Sequence, residues 1–170
     1  MKHAIIFALL FAATLSAEPR PVTPADAKAI FEKLKAMEGT WKGKSTKGWT
    51  DVATYEVAAK GTVVIERSHF EGEANDGMMT TFFLDGEQLL MTHYCEARNQ
   101  PTLVAATIDD ADHSVLFRFH SGTNLASRDV GHMDSCRMRF VDANRVWSQW
   151  TWYAKGKETW MENIESVRSQ

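Results

Sequence analysis

The sequence predicts an all-β fold: an antiparallel up-and-down β-barrel of about ten strands, with one N-terminal helix plugging one end. Three observations carry this expectation. Beyond Gly39 the chain is a succession of short runs rich in Val, Phe, Thr and Trp, separated by Gly, Asp and Asn turn signals. No helical stretch lies between those runs, so parallel crossovers are not expected and consecutive strands should pair as hairpins. A meander of this length closes most economically on itself, which removes its exposed edges; a two-sheet sandwich is the alternative arrangement of the same strands. The 170 residues, 44% of them hydrophobic, suffice for one core, and 2 cysteines are too few for a disulfide scaffold. A net charge of −3 lacks the basic excess that a nucleic-acid partner would require, so none is expected.

Taken in order, residues 1–17, MKHAIIFALLFAATLSA, read as a signal peptide: Lys2 and His3, an apolar stretch, then small residues. The apolar stretch is too short for a membrane span, and Glu18 follows rather than a Cys for lipid attachment. The mature chain is therefore expected to be secreted or periplasmic. Residues 18–22 form a Pro-spaced linker, and 23–170 a single barrel domain. Thr23 reads as an N-cap, Pro24 as the first helical residue and Asp26 as the capping-box partner, with Ile30, Phe31, Leu34 and Met37 on one face. Gly39 ends the helix. Strands are expected over Thr40–Ser45, Trp49–Ala58, Thr62–Phe70, Met78–Leu84 and Gln88–Cys95. Five more follow over Thr102–Asp109, Ser114–Ser121, Met133–Val141, Val146–Ala154 and Glu158–Val167. Alternation is clean where Val115, Phe117 and Phe119 oppose Arg118 and His120, and where Cys136, Met138 and Phe140 oppose Arg137 and Arg139.

EGTWKG at 38–43 places a Gly-x-Trp after a short helix, which resembles the opening of lipocalin-like (calycin) barrels. LDGEQLLMTHYCEARNQP at 84–101, NLASRDVGHM at 124–133 and a Trp-rich strand near 147–152 extend a resemblance to a family of small exported bacterial proteins of uncharacterised function. The resemblance implies that Trp41 packs across the closed end of the barrel. The chain lacks the repeated Gly and the Tyr-Pro that haem-binding nitrobindins carry after this opening, which weakens a haem reading, and no cofactor is assigned.

In an up-and-down barrel, tight connections such as Asp85-Gly86-Glu87 fall at one end and the longer loops Glu71–Gly77, Glu96–Pro101 and Gly122–His132 at the other. The helix enters from the tight end, so the long-loop end is the expected mouth. His69, His93, His120 and His132 sort to that mouth, while His113 does not. With Tyr94, Cys95, Asn99, Gln100 and Asn124 they form a polar rim suited to binding a small, partly apolar molecule. His93 and Cys95 share a strand face and can converge on one ligand. No metal is assigned, although His93 and His132 are weak candidates. Cys95 and Cys136 are open to three readings: a disulfide, two buried thiols, or soft metal ligands. Trp147 faces away from Trp150 and Trp152, so one side of that strand lines a cavity or an interface. The expected function is thus a binding barrel, with two alternatives: an enzyme using His93 or His132 at the same mouth, or a solid barrel docking an envelope partner. Oligomeric state is left open.

Overall fold

The computed structural model describes residues 18–72 and 77–169. The expected leader, residues 1–17, and residues 73–76 of the loop 71–77 lie outside the described residues, as does the side chain of Trp160. The chain forms β1 (Arg20–Pro21), α1 (Pro24–Lys35), β2 (Gly39–Ser45), β3 (Thr50–Ala58), β4 (Val63–Phe70) and β5 (Met78–Asp85). It continues through β6 (Gln88–Tyr94), β7 (Gln100–Asp109), β8 (Ser114–Thr123), β9 (His132–Asp142), β10 (Arg145–Ala154) and β11 (Lys157–Arg168). From β2 to β11 each strand pairs antiparallel with the next, and β11 returns to β2 from Ile164↔Ser45 to Arg168↔Trp41. This is a closed ten-stranded barrel, and the sandwich alternative is excluded.

The expected linker is partly a strand. β6 pairs with β7 only from Leu90 to Thr92, which leaves Thr107 and Ile108 free to pair with Pro21 and Arg20. Arg20 bonds both Asp26 and Asp110, and its guanidinium holds the Asp26 carboxyl far below the usual carboxylate range. Helix α1 starts as its sequence dictates: Thr23 Oγ1 accepts from the Asp26 amide at 3.2 Å, and Asp26 accepts from the Thr23 amide at 2.9 Å. Its buried face, Ala27, Ile30, Phe31 and Leu34, joins Met37 and Trp41 in one core with Tyr55, Val64, Phe82 and Phe117 from the barrel wall.

Trp41 is 1% exposed and donates its indole N–H to the Met37 carbonyl at 2.7 Å. Arg168 lies over the ring, 4.5 Å from its centroid, while its guanidinium donates to the carbonyls of Glu38 and Ala36. The last strand therefore clamps the helix exit and the first barrel strand together. Alternation runs as the sequence indicates on β8 and β9, with Val115, Phe117, Cys136 and Met138 buried and Arg118 and His120 exposed.

Candidate functional site

The barrel interior is not filled. A cavity of about 310 Å³ runs inside it, floored near Met37, Phe82 and Met138 and reaching the exposed Glu96 and Ala97 in the β6–β7 loop. Trp49, Phe70 and Trp152 stand around its outer part, and Trp150 lies against His93 with ring centroids 5.1 Å apart. The inner faces of the strands supply these walls because side chains on a strand alternate between the two sides of the sheet.

One wall is polar. Tyr55, Glu66, Thr80 and His93 are successive cross-strand partners on β3, β4, β5 and β6, so the register places four polar side chains in one row. Tyr55 donates its hydroxyl to Glu66 at 2.9 Å, Thr80 also bonds Glu66, and Thr80 Oγ1 lies 3.0 Å from His93 Nδ1. A threonine hydroxyl has one proton, and an ionised carboxylate can only accept. With Glu66 ionised, Thr80 donates to Glu66 and accepts the Nδ1 proton of His93. The other imidazole nitrogen, Nε2, is then a bare acceptor. It is buried and has no partner. Burial lowers the His93 pKa to about 4, so the ring is neutral at neutral pH.

Two further acids share the cavity. Glu162 on β11 accepts from Ser45 Oγ and from Trp49 Nε1, both at 2.7 Å. Asp51 on β3 is pushed up to about 7, chiefly by burial and then by the charges of Glu66 and Glu162. Burial also raises Glu66, against the opposing pull of its two hydroxyl donors. Among the described lining residues there is no Lys or Arg. Three inner carboxyl groups, with Glu96 at the outer end, thus share a space with no Lys or Arg among its described lining residues.

The nine residues expected at the mouth fall into four groups. His93 and Cys95 line the cavity, as their shared strand face implies. Asn99, Gln100 and Asn124 tie loops together instead. Asn99 is buried and donates to the Gly131 carbonyl at 2.8 Å, and Gln100 accepts from Thr123 and Asn124. His132 is fully buried with its ring packed between Phe119 and Tyr153 and its Nε2 bonded to Arg128. Tyr94, His69 and His120 are exposed side chains that do not line the cavity. His93 and His132 do not converge, and among the described residues no group of three or more His, Cys, Asp or Glu is arranged to hold a metal ion.

The possible disulfide is absent: Cys95 and Cys136 are free thiols. Cys136 is fully buried in mid-strand on the cavity wall, near Glu66, whereas Cys95 lies just beyond the end of β6 and packs into the turn that follows. Trp150 and Trp152 line the cavity while Trp147 faces Arg139 on the other side of the strand, which settles the cavity side of β10.

Asp51, Glu66 and Glu162 were not singled out from the sequence. Their signal is phase: Glu66 alternates with Val64, Asp51 with Ala53 and Tyr55, and Glu162 with Ile164, so each acid stands on the face of buried residues.

Comparison with protein-family models and with curated proteins gives no match. Among solved structures, the chain is similar to a protein of unknown function from the DUF3598 family of Nostoc punctiforme, with a TM-score of 0.52 and 11% sequence identity. The likeness is one of fold. It covers 80% of this chain and 49% of that one, so the chain spans about half the length of its structural neighbour. Among the described residues no helix is long and apolar enough to cross a membrane.

Proposed function

We propose that this protein is an exported, calycin-like barrel that binds a small, partly apolar molecule in its interior. The observation that carries the reading is the cavity itself: about 310 Å³, walled by aromatic and Met side chains, with a few polar groups gathered on one side. The burial of Trp41 at the helix exit, where the lipocalin-like opening puts it, supports the calycin-like part of the reading. Native mass spectrometry of the exported protein, purified without an affinity tag, is the direct test. The expected result is a chain beginning at Glu18 that carries a small-molecule mass, and Ser148→Trp, which fills the cavity from β10, should abolish that mass. A chain that retains residues 1–17 would overturn the export part. Binding of small apolar probes that Ser148→Trp leaves unchanged would overturn the cavity as the site.

An enzyme reading has one observation in its favour, the bare Nε2 of a neutral, buried His93 facing the cavity, which is the form a general base requires. It predicts that the extracted molecule is chemically altered on return to the fresh protein and left intact by His93→Gln. An unaltered molecule would overturn it.

A further inference from the structure

We infer that the cavity selects a protonated amine attached to an apolar body, an inference that rests on the binding reading above. It begins with the charge inventory of the walls. Asp51, Glu66 and Glu162 come from three different strands and interact across one cavity, with Glu96 at the outer rim. No Lys or Arg is among the described residues that line the space. Carboxyl groups held together away from water repel one another and lose hydration, a cost that a cation entering the cavity relieves. An anion would add to the repulsion. A wholly apolar ligand would leave the cost untouched.

The second observation is independent of the acids. His93 is 4% exposed, lines the same cavity, and its Nε2 has no hydrogen-bond partner. The Tyr55–Glu66–Thr80 chain makes that nitrogen an acceptor when Glu66 is ionised, so the complementary group is an N–H or O–H donor on the ligand. An ammonium group supplies both positive charge and N–H donors; a quaternary ammonium supplies only the charge. The rings of Trp49, Trp150 and Trp152 provide faces against which a cation and its apolar body both pack favourably. One ligand class meets all three requirements: an alkyl or arylalkyl amine, protonated at neutral pH and carrying at least one N–H.

Four probes of one size separate the possibilities, each titrated against the full mature protein by calorimetry or by Trp fluorescence at pH 7.5. These are phenethylamine, its trimethylammonium analogue, 2-phenylethanol and 3-phenylpropanoate. The expected order is phenethylamine tightest, at least tenfold over 2-phenylethanol, with the trimethylammonium compound between them and 3-phenylpropanoate weakest. Glu162→Gln and His93→Gln should each weaken phenethylamine at least fivefold while changing 2-phenylethanol less than twofold. If 2-phenylethanol or 3-phenylpropanoate binds as tightly as phenethylamine, the amine inference is overturned and the binding reading stands. If the trimethylammonium compound matches phenethylamine, the role given to His93 fails. If no probe binds, both the inference and the binding reading fall. Because the probe order is read on the unsubstituted protein, it does not depend on how well either variant folds.

Discussion

Asp51 and His93 face the same cavity and titrate in opposite senses, which gives the folded state a specific dependence on pH. The Asp51 carboxyl, raised from its ordinary 3.8 to about 7, keeps its proton in the folded chain where the unfolded chain has lost it. Its contribution to stability is complete below pH 3.8 and is lost as the pH rises through about 7, a change on the order of 4 kcal/mol at most. Glu66, also raised, adds to the same limb. His93 is lowered from 6.5 to about 4, so its contribution is complete above pH 6.5 and is lost as the pH falls through about 4. Urea denaturation across pH 4.5–7.5 should therefore separate two variants. Asp51→Asn should be more stable than the wild type at pH 7.5, by about 1–3 kcal/mol, and should steepen the loss of stability on acidification. His93→Gln should flatten that acid limb and leave stability falling as pH rises. Profiles of the two variants that run parallel would refute the opposed titration.

At the scale of elements, a cluster centred on Arg128 fastens the segment from β8 to β9, beside the bonds that Asn99 and Lys155 make to it. Arg128 stacks on Phe119 and Tyr153, with 4.1 Å and 4.3 Å to the ring centroids, and bonds both His132 and Asp134. The Nδ1 proton of His132 goes to the Val130 carbonyl, so its Nε2 accepts from Arg128. His132 is thereby a fastening for this segment. At the end of the segment, Gly131 leaves room for an aromatic wall of the cavity: a Cβ there would stand 2.5 Å from Cζ2 of Trp152. Gly131→Ala is expected to displace Trp152, to cost about 1–3 kcal/mol in thermal or chemical denaturation, and to shift Trp emission. Unchanged emission together with unchanged stability would show that Trp152 does not need that space.

For the whole molecule, closure is the decisive contact. β11 pairs with β2 through Ile164–Arg168, and Arg168 carries the clamp over Trp41 and the helix exit. Removing residues 163–170 would leave two unpaired strand edges and uncover Trp41. Loss of cooperative unfolding and of the near-ultraviolet circular dichroism signal is expected. A truncated chain that melts within a few degrees of the intact one would mean that the meander is stable open.

Local rules made the helix and the strands legible. The Thr23–Asp26 capping box, the Ile30–Phe31–Leu34 face and the alternation around Phe117 and Met138 each depend on residues within a few positions of one another, and each stands in the structure as its sequence implies. The same alternation placed His93 and Cys95 on one cavity-facing side. It also marks Asp51, Glu66 and Glu162 as inward residues, yet it cannot say that they interact across one cavity. Nor can it say that His132, a histidine at the same end as His93, is spent on Arg128. Period-two alternation fixes which face a side chain takes; which distant side chains meet is fixed by the stagger between strands once β11 has closed on β2. The sequence by itself determined the helix, the ten barrel strands and the sidedness of those with clean alternation, while β1 and the cavity side of β10 came only from the structure. Only the tertiary structure decided that three acids and an unpartnered imidazole line one cavity, because their approach depends on register across the closed sheet and on the burial that closure brings.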